Sequence, residues 1–180
     1  MCASFAFTDP RLEGLPQIGE GEHCRVYDEG NGRVLKVTDC PAAHTFLTDP
    51  DSPRGRHYPV VHADYGEVGR TERGLPIYMV EMERLLPLEV GTLPWAVART
   101  ISSTYEQGCR SWMSFGENMT TLAFGSLLRT PLGLSQDIHD ALQGLYGFVQ
   151  SNQLRADFLK TENMMMREDG TLVFSDPVFV

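Results

Sequence analysis

The chain has 180 residues, of which 42% are hydrophobic and 22% charged, and its formal net charge is −9. That length suits one compact domain or two small lobes, and that composition excludes disorder as the state of the whole chain. Lys and Arg form no cluster, which excludes a nucleic-acid footprint, and no run approaches the roughly 20 apolar residues of a membrane-spanning helix, while the acidic balance suits a basic partner as well as plain solubility.

The opening segment, MCASFAFTDPRLEG, has no basic start followed by an apolar run and does not read as a secretion signal. Leu15 to Gly19 leads into a glycine-rich turn. Arg25–Asp28 and Arg33–Val37 read as short strands around Gly30-Asn31-Gly32, where Asn-Gly supplies the positive φ of a tight hairpin. Pro41 to Leu47 is expected to form one short helix, and Asp49 to Arg56 a loop. Val60–Val68 and Leu75–Met82 are further strand candidates, with a turn over Gly69–Gly74.

The period then changes. Val97, Ile101, Tyr105, Gly108 and Trp112 recur at helical spacing between Pro94 and Phe115. Ile138, Leu142, Leu145 and Val149 do so between Ser135 and Asn152, with Ser135 as the expected N-cap and Asp137 suited to the positive helix end. Both stripes read as core. Met164–Arg167 and Thr171–Ser175 flank Glu168-Asp169-Gly170, a second hairpin signal. Trp95 and Trp112 read as packing residues. Cys2, Cys24, Cys40 and Cys109 form no C-x-x-C pair and are expected to be reduced thiols. His23, His44, His57, His62 and His139 show no metal-ligand spacing, although His23 lies in the glycine-rich turn within reach of a phosphate.

Two groups of residues carry chemistry. The first is Ile18-Gly19-Glu20-Gly21-Glu22-His23-Cys24-Arg25-Val26-Tyr27, followed by Val34-Leu35-Lys36-Val37. Glycines let backbone amides approach phosphate oxygens, and a lysine in an apolar strand calls for an anionic partner. The second is Leu154-Arg155-Ala156-Asp157-Phe158-Leu159-Lys160-Thr161-Glu162-Asn163, then the hairpin, then Ser175-Asp176-Pro177. Phosphoryl transfer needs a carboxylate beside the attacking hydroxyl and oxygen donors that hold Mg²⁺ against the phosphates.

Together these segments resemble the glycine-rich loop, third-strand lysine, catalytic loop and metal-binding Asp of the protein-kinase-like superfamily. The resemblance runs in order from about residue 15 to residue 178. His57-Tyr58-Pro59-Val60-Val61 looks like the entry to the fourth strand, and Tyr78–Met82 like the fifth strand entering the hinge. Among kinase-like proteins, the small early proteins of short-tailed bacteriophages are similar in the Asp176-Pro177-Val178 ending. The resemblance implies an α+β, truncated bilobal fold, with a β-rich nucleotide-binding lobe over 1–84 and a helical lobe over 85–180. It implies ATP and Mg²⁺ as cofactors. Gly19, Glu20, Gly21, Val26 and Lys36 would meet the nucleotide, and backbone groups of Glu81, Met82 and Glu83 the adenine edge. Asp157 would act as base, Lys160 as phosphate stabiliser, and Asn163 and Asp176 as metal ligands. It implies transfer to Ser or Thr of a host protein in the bacterial cytoplasm. A pseudokinase that binds a host protein without catalysis is the alternative, and a small-molecule phosphotransferase the third reading.

The sequence departs from the family pattern in four places. Cys24 stands where a third glycine is usual. No glutamate lies between Asp39 and Arg56 to hold Lys36, which leaves it either unanchored or held by Asp49, Asp51 or Asp176. Asp157 precedes Asn163 by six residues rather than five, with Phe158 in the standard position. The sequence stops four residues after Asp176, so a peptide substrate is expected to use another surface.

Overall fold

The computed structural model describes residues 7–179. It divides into two compact units. The first contains residues up to Asp49 and Val60–Arg84, and the second contains Pro50–Pro59 and the chain from Leu85 onward. The architecture is α+β, with one antiparallel sheet of five strands and, among the described residues, four α-helices.

In the first unit, β1 (Gln17–Glu20), β2 (Cys24–Gly30), β3 (Arg33–Thr38), β4 (Val61–Arg70) and β5 (Pro76–Glu83) are ordered β1-β2-β3-β5-β4. The β2–β3 hairpin turns through Asn31 (φ 51°) and Gly32 (φ 75°), the left-handed pair that the Asn-Gly signal demands. Side chains alternate across the sheet. One face carries Leu35, Val37, Ile77 and Met79, with Phe7, Leu12, Leu15, Tyr27 and Val68 packed against them. The opposite face carries Val34, Lys36, Val80 and Met82. Helix α1 (Pro41–Thr48) buries Ala42, Ala43, Phe46 and Leu47, and the His44 ring stacks on Tyr78 at 4.2 Å.

The second unit is built on α2 (Leu93–Ser111), α3 (Met119–Arg129) and α4 (Gln136–Ser151). The helix expected to reach Phe115 stops at Ser111, and Phe115 lies in a 3-10 turn over Met113–Asn118 that breaks at Gly116 (φ 58°). Helix α3 lies outside the elements expected from the sequence. Asn118, a residue type preferred at N-caps, precedes it but makes no side-chain cap bond, and Thr120 and Thr121 in its first turn lower its propensity. What holds it is packing: Ala123, Phe124 and Leu127 are buried, and Gly108 of α2 lets Ala123 approach. Ser135 does sit at the N-cap of α4, but its side chain caps no helix amide. Its hydroxyl instead helps to hold the Asp137 carboxyl below the usual carboxylate range.

Segment Pro50–Pro59 belongs to this unit through its own bonds. His57 Nδ1 lies 2.7 Å from the Leu172 carbonyl, the Phe174 amide donates to the His57 carbonyl at 2.9 Å, and the Tyr58 hydroxyl donates to the Ala141 carbonyl. Four short strands complete the unit: β6 (Arg155–Ala156) pairs with β9 (Val178–Phe179), and β7 (Met164–Met166) pairs with β8 (Leu172–Phe174).

Candidate functional site

The β7–β8 hairpin closes through Gly170 (φ 78°), with the Asp169 carboxylate accepting from the Thr171 amide at 2.9 Å. Met164 pairs with Phe174, so the residues just outside the strands, Asn163 and Ser175, face each other across the open end. The Asn163 carbonyl accepts from the Ser175 amide at 2.9 Å, from the Asp176 amide at 3.1 Å and from the Ser175 hydroxyl at 2.9 Å. The Asn163 side-chain NH₂ donates to the Asp157 carbonyl at 2.9 Å. The Asp157 amide donates to the Pro177 carbonyl at 2.8 Å, and Ala156 pairs with Val178 in the next step. Asp157, Asn163 and Asp176 are thus joined in one closed circuit of hydrogen bonds, a convergence that their order along the chain leaves open.

The circuit is anchored from beneath. Tyr105 is fully buried and its hydroxyl donates to the Ala156 carbonyl at 2.7 Å. Burial pushes the Tyr105 phenol far above its usual range, so it remains a donor. Phe158 is fully buried, edge-on to Tyr105 at 5.4 Å and to Phe124 at 5.0 Å, and inclined to Phe174 at 5.9 Å. The residue at the standard base position is therefore a core anchor. The extra residue between Asp157 and Asn163 is absorbed by exposed Leu159 and Lys160 and a 3-10 turn over Thr161–Asn163, and the Asn163 amide still reaches Asp157.

These residues fit Mg²⁺ by their donor chemistry. Because the Asn163 NH₂ is engaged by Asp157, the function left to its Oδ1 is acceptance, and Asp176 adds a half-buried carboxylate. Both are hard oxygen donors of the kind Mg²⁺ takes alongside water and phosphate. Among the described residues, no group of three His, Cys, Asp or Glu side chains is arranged to hold a metal. A cation held by Asn163 and Asp176 would therefore need most of its oxygen donors from elsewhere.

The first unit holds the remaining candidates. Gly19 and Glu20 lie in β1, paired with Val26 and Arg25, and the Gly21 amide donates to the Cys24 carbonyl at 2.9 Å. The three-residue loop Gly21–His23 is tied to the end of β3: the His23 carbonyl accepts from the Thr38 hydroxyl at 2.8 Å and from the Asp39 amide at 3.1 Å. The His23 ring, expected within reach of a phosphate, bonds the Asp39 carboxylate at 2.9 Å. Lys36 is only 5% exposed and is flanked by Val26 on β2 and Val80 on β5.

The expected adenine edge lies along the end of β5. Glu81 and Met82 lie inside β5, paired with Leu35 and Val34 on one side and Ala63 and Val61 on the other, so the ladder uses their backbone groups. The Glu81 carboxylate points to the face opposite Lys36, where it pairs with Arg33 and accepts from the Tyr65 hydroxyl at 3.2 Å. Glu83 closes the strand, its amide donating to the Val60 carbonyl at 2.9 Å and its carboxylate accepting from the Val60 amide at 2.8 Å. Of the three, Glu83 is the one at the strand end, where the paired backbone gives way to the connection.

The sequence names His57 and Ser175 only within longer segments and gives neither a role of its own. Position next to Asp176 was the available signal for Ser175. For His57 there was none, because its partners are 80 or more residues away.

No family model matches the chain, and no curated protein matches it. Among solved structures, the chain is similar to a thermostable mutant of aminoglycoside phosphotransferase APH(4)-Ia in ternary complex with AMP-PNP and hygromycin B. The identity is 13%, the match covers 93% of this chain and 68% of that one, and the TM-score is 0.36, a superposition too loose to establish a common fold.

Proposed function

We propose that the chain is a kinase-like phosphotransferase that binds ATP with Mg²⁺ and passes the γ-phosphate to a protein Ser or Thr hydroxyl. The observation that carries this reading is the hydrogen-bonded circuit through Asp157, Asn163 and Asp176. It ties together the backbones of one candidate base and two candidate oxygen-donor residues, and phosphoryl transfer requires side chains of those kinds. In this reading Asn163 and Asp176 hold Mg²⁺, which supplies charge neutralisation at the phosphates. Asp157 orients the attacking hydroxyl, Lys160 faces the transferring phosphate, and Lys36 with the Gly19–Gly21 turn and Val26 engages the nucleotide. We place its acceptor among bacterial host proteins, on the strength of the resemblance to phage kinase-like proteins.

The six-residue step from Asp157 to Asn163 favours a second reading, in which the chain binds a host protein without catalysis. Labelled ATP and Mg²⁺, incubated with the purified chain with and without bacterial lysate, separate the two. Phosphotransfer gives labelled protein, and Lys36→Ala or Asp176→Ala lowers the rate by about 10²–10⁴-fold, or ~3–5 kcal/mol of transition-state stabilisation. Undiminished label in both variants overturns the assignment. Absence of label together with lysate-protein capture that survives both substitutions supports the non-catalytic reading.

A further inference from the structure

We propose that Ser175 is a positioning residue whose hydroxyl fixes the spacing between Asn163 and Asp176 and thereby makes the site selective for Mg²⁺ over larger cations; this rests on the function proposed above. Ser175 is 7% exposed, and its hydroxyl donates to the Asn163 carbonyl at 2.9 Å. That oxygen already accepts the Ser175 and Asp176 amides, so the hydroxyl is a third donor on an atom with two lone pairs. Satisfaction of the carbonyl does not require it. The bond also gives a buried hydroxyl its partner. What the third bond adds is constraint: it locks the side chain of the residue between the two strands' ends onto the backbone of one metal-holding residue, one position before the other.

Such a constraint bears unequally on different cations. Mg²⁺ demands near-ideal octahedral geometry with short bonds, whereas Ca²⁺ accepts longer bonds and variable coordination. Loosening the seat should therefore cost Mg²⁺ more than Ca²⁺. Groups that orient metal ligands from outside the coordination shell change metal affinity by roughly 10–100-fold when removed.

The test uses the full chain and a fluorescent, non-hydrolysable ATP analogue, with its binding titrated by Mg²⁺ and, separately, by Ca²⁺. The ratio of the two half-saturating concentrations does not depend on what fraction of a variant is folded. For Ser175→Ala the Mg²⁺ value should rise on the order of 10-fold while the Ca²⁺ value moves much less. Ser175→Thr, which keeps the hydroxyl, should restore the wild-type ratio. If Ser175→Ala leaves the ratio unchanged while Asp176→Ala abolishes metal-dependent binding, the role of Ser175 is refuted and the metal site stands. If Asp176→Ala keeps full metal dependence, the functional reading itself fails and this inference with it.

Discussion

Asn163 acts in two directions at once, and its chemistry explains why an amide stands there. Its NH₂ donates to the Asp157 carbonyl while its own carbonyl gathers the donors of Ser175 and Asp176. Asn163→Asp keeps the oxygens but sets a carboxylate against a carbonyl. The loss should be about 1–3 kcal/mol in urea denaturation, beyond any effect on nucleotide binding. A second residue-scale outcome concerns pH. The Ser135 hydroxyl and the His57 ring hold the Asp137 carboxyl down at about 2. A folded value below the unfolded one stabilises the native state above the ordinary carboxylate range, and that contribution disappears as pH falls through the folded value. Asp137→Asn should therefore be less stable than wild type near neutrality, with the difference shrinking as the pH approaches 2. Chemical denaturation at a series of pH values reads it directly, and a gap that stays constant down to that pH would contradict the pairing.

At the scale of the element, legibility followed the strength of local signals. The Asn31-Gly32 and Gly170 hairpins were readable because positive φ selects so few residues. Helices α2 and α4 were readable because their apolar stripes are long and regular. Helix α3 has no cap bond and exists because α2 offers it a flat contact. A Cβ on Gly108 would lie 3.0 Å from the Ala123 Cα, with backbone on the far side of the contact. Gly108→Val should cost about 1–3 kcal/mol by overpacking, despite the gain in helix propensity, and should shift the urea midpoint without changing the ladder of the sheet. The β5 assignment shows the converse. Its run of apolar residues was legible, but that Glu81 and Met82 would be paired on both sides depended on strand order, which no local pattern encodes.

For the whole molecule, stability of the second unit centres on Phe158, which joins Tyr105, Phe124 and Phe174 in one aromatic cluster. Phe158→Ala should cost about 3–5 kcal/mol and loosen the neighbouring Asp157 circuit, visible as faster amide exchange at Asp157 and Asp176. By itself the sequence determined the strands and hairpins around both chemical segments, three of the helices, and the identity of Lys36, Asp157, Asn163 and Asp176 as candidates. These depend on short-range rules: side-chain period, turn conformation and residue chemistry. Only the tertiary structure decided that Asn163 bridges Asp157 to Asp176, that Phe158 is core, that α3 is helical and that His57 bonds Leu172. Each of those is a contact between residues distant in sequence or a consequence of burial, and a one-dimensional pattern carries no information about which distant surfaces will meet.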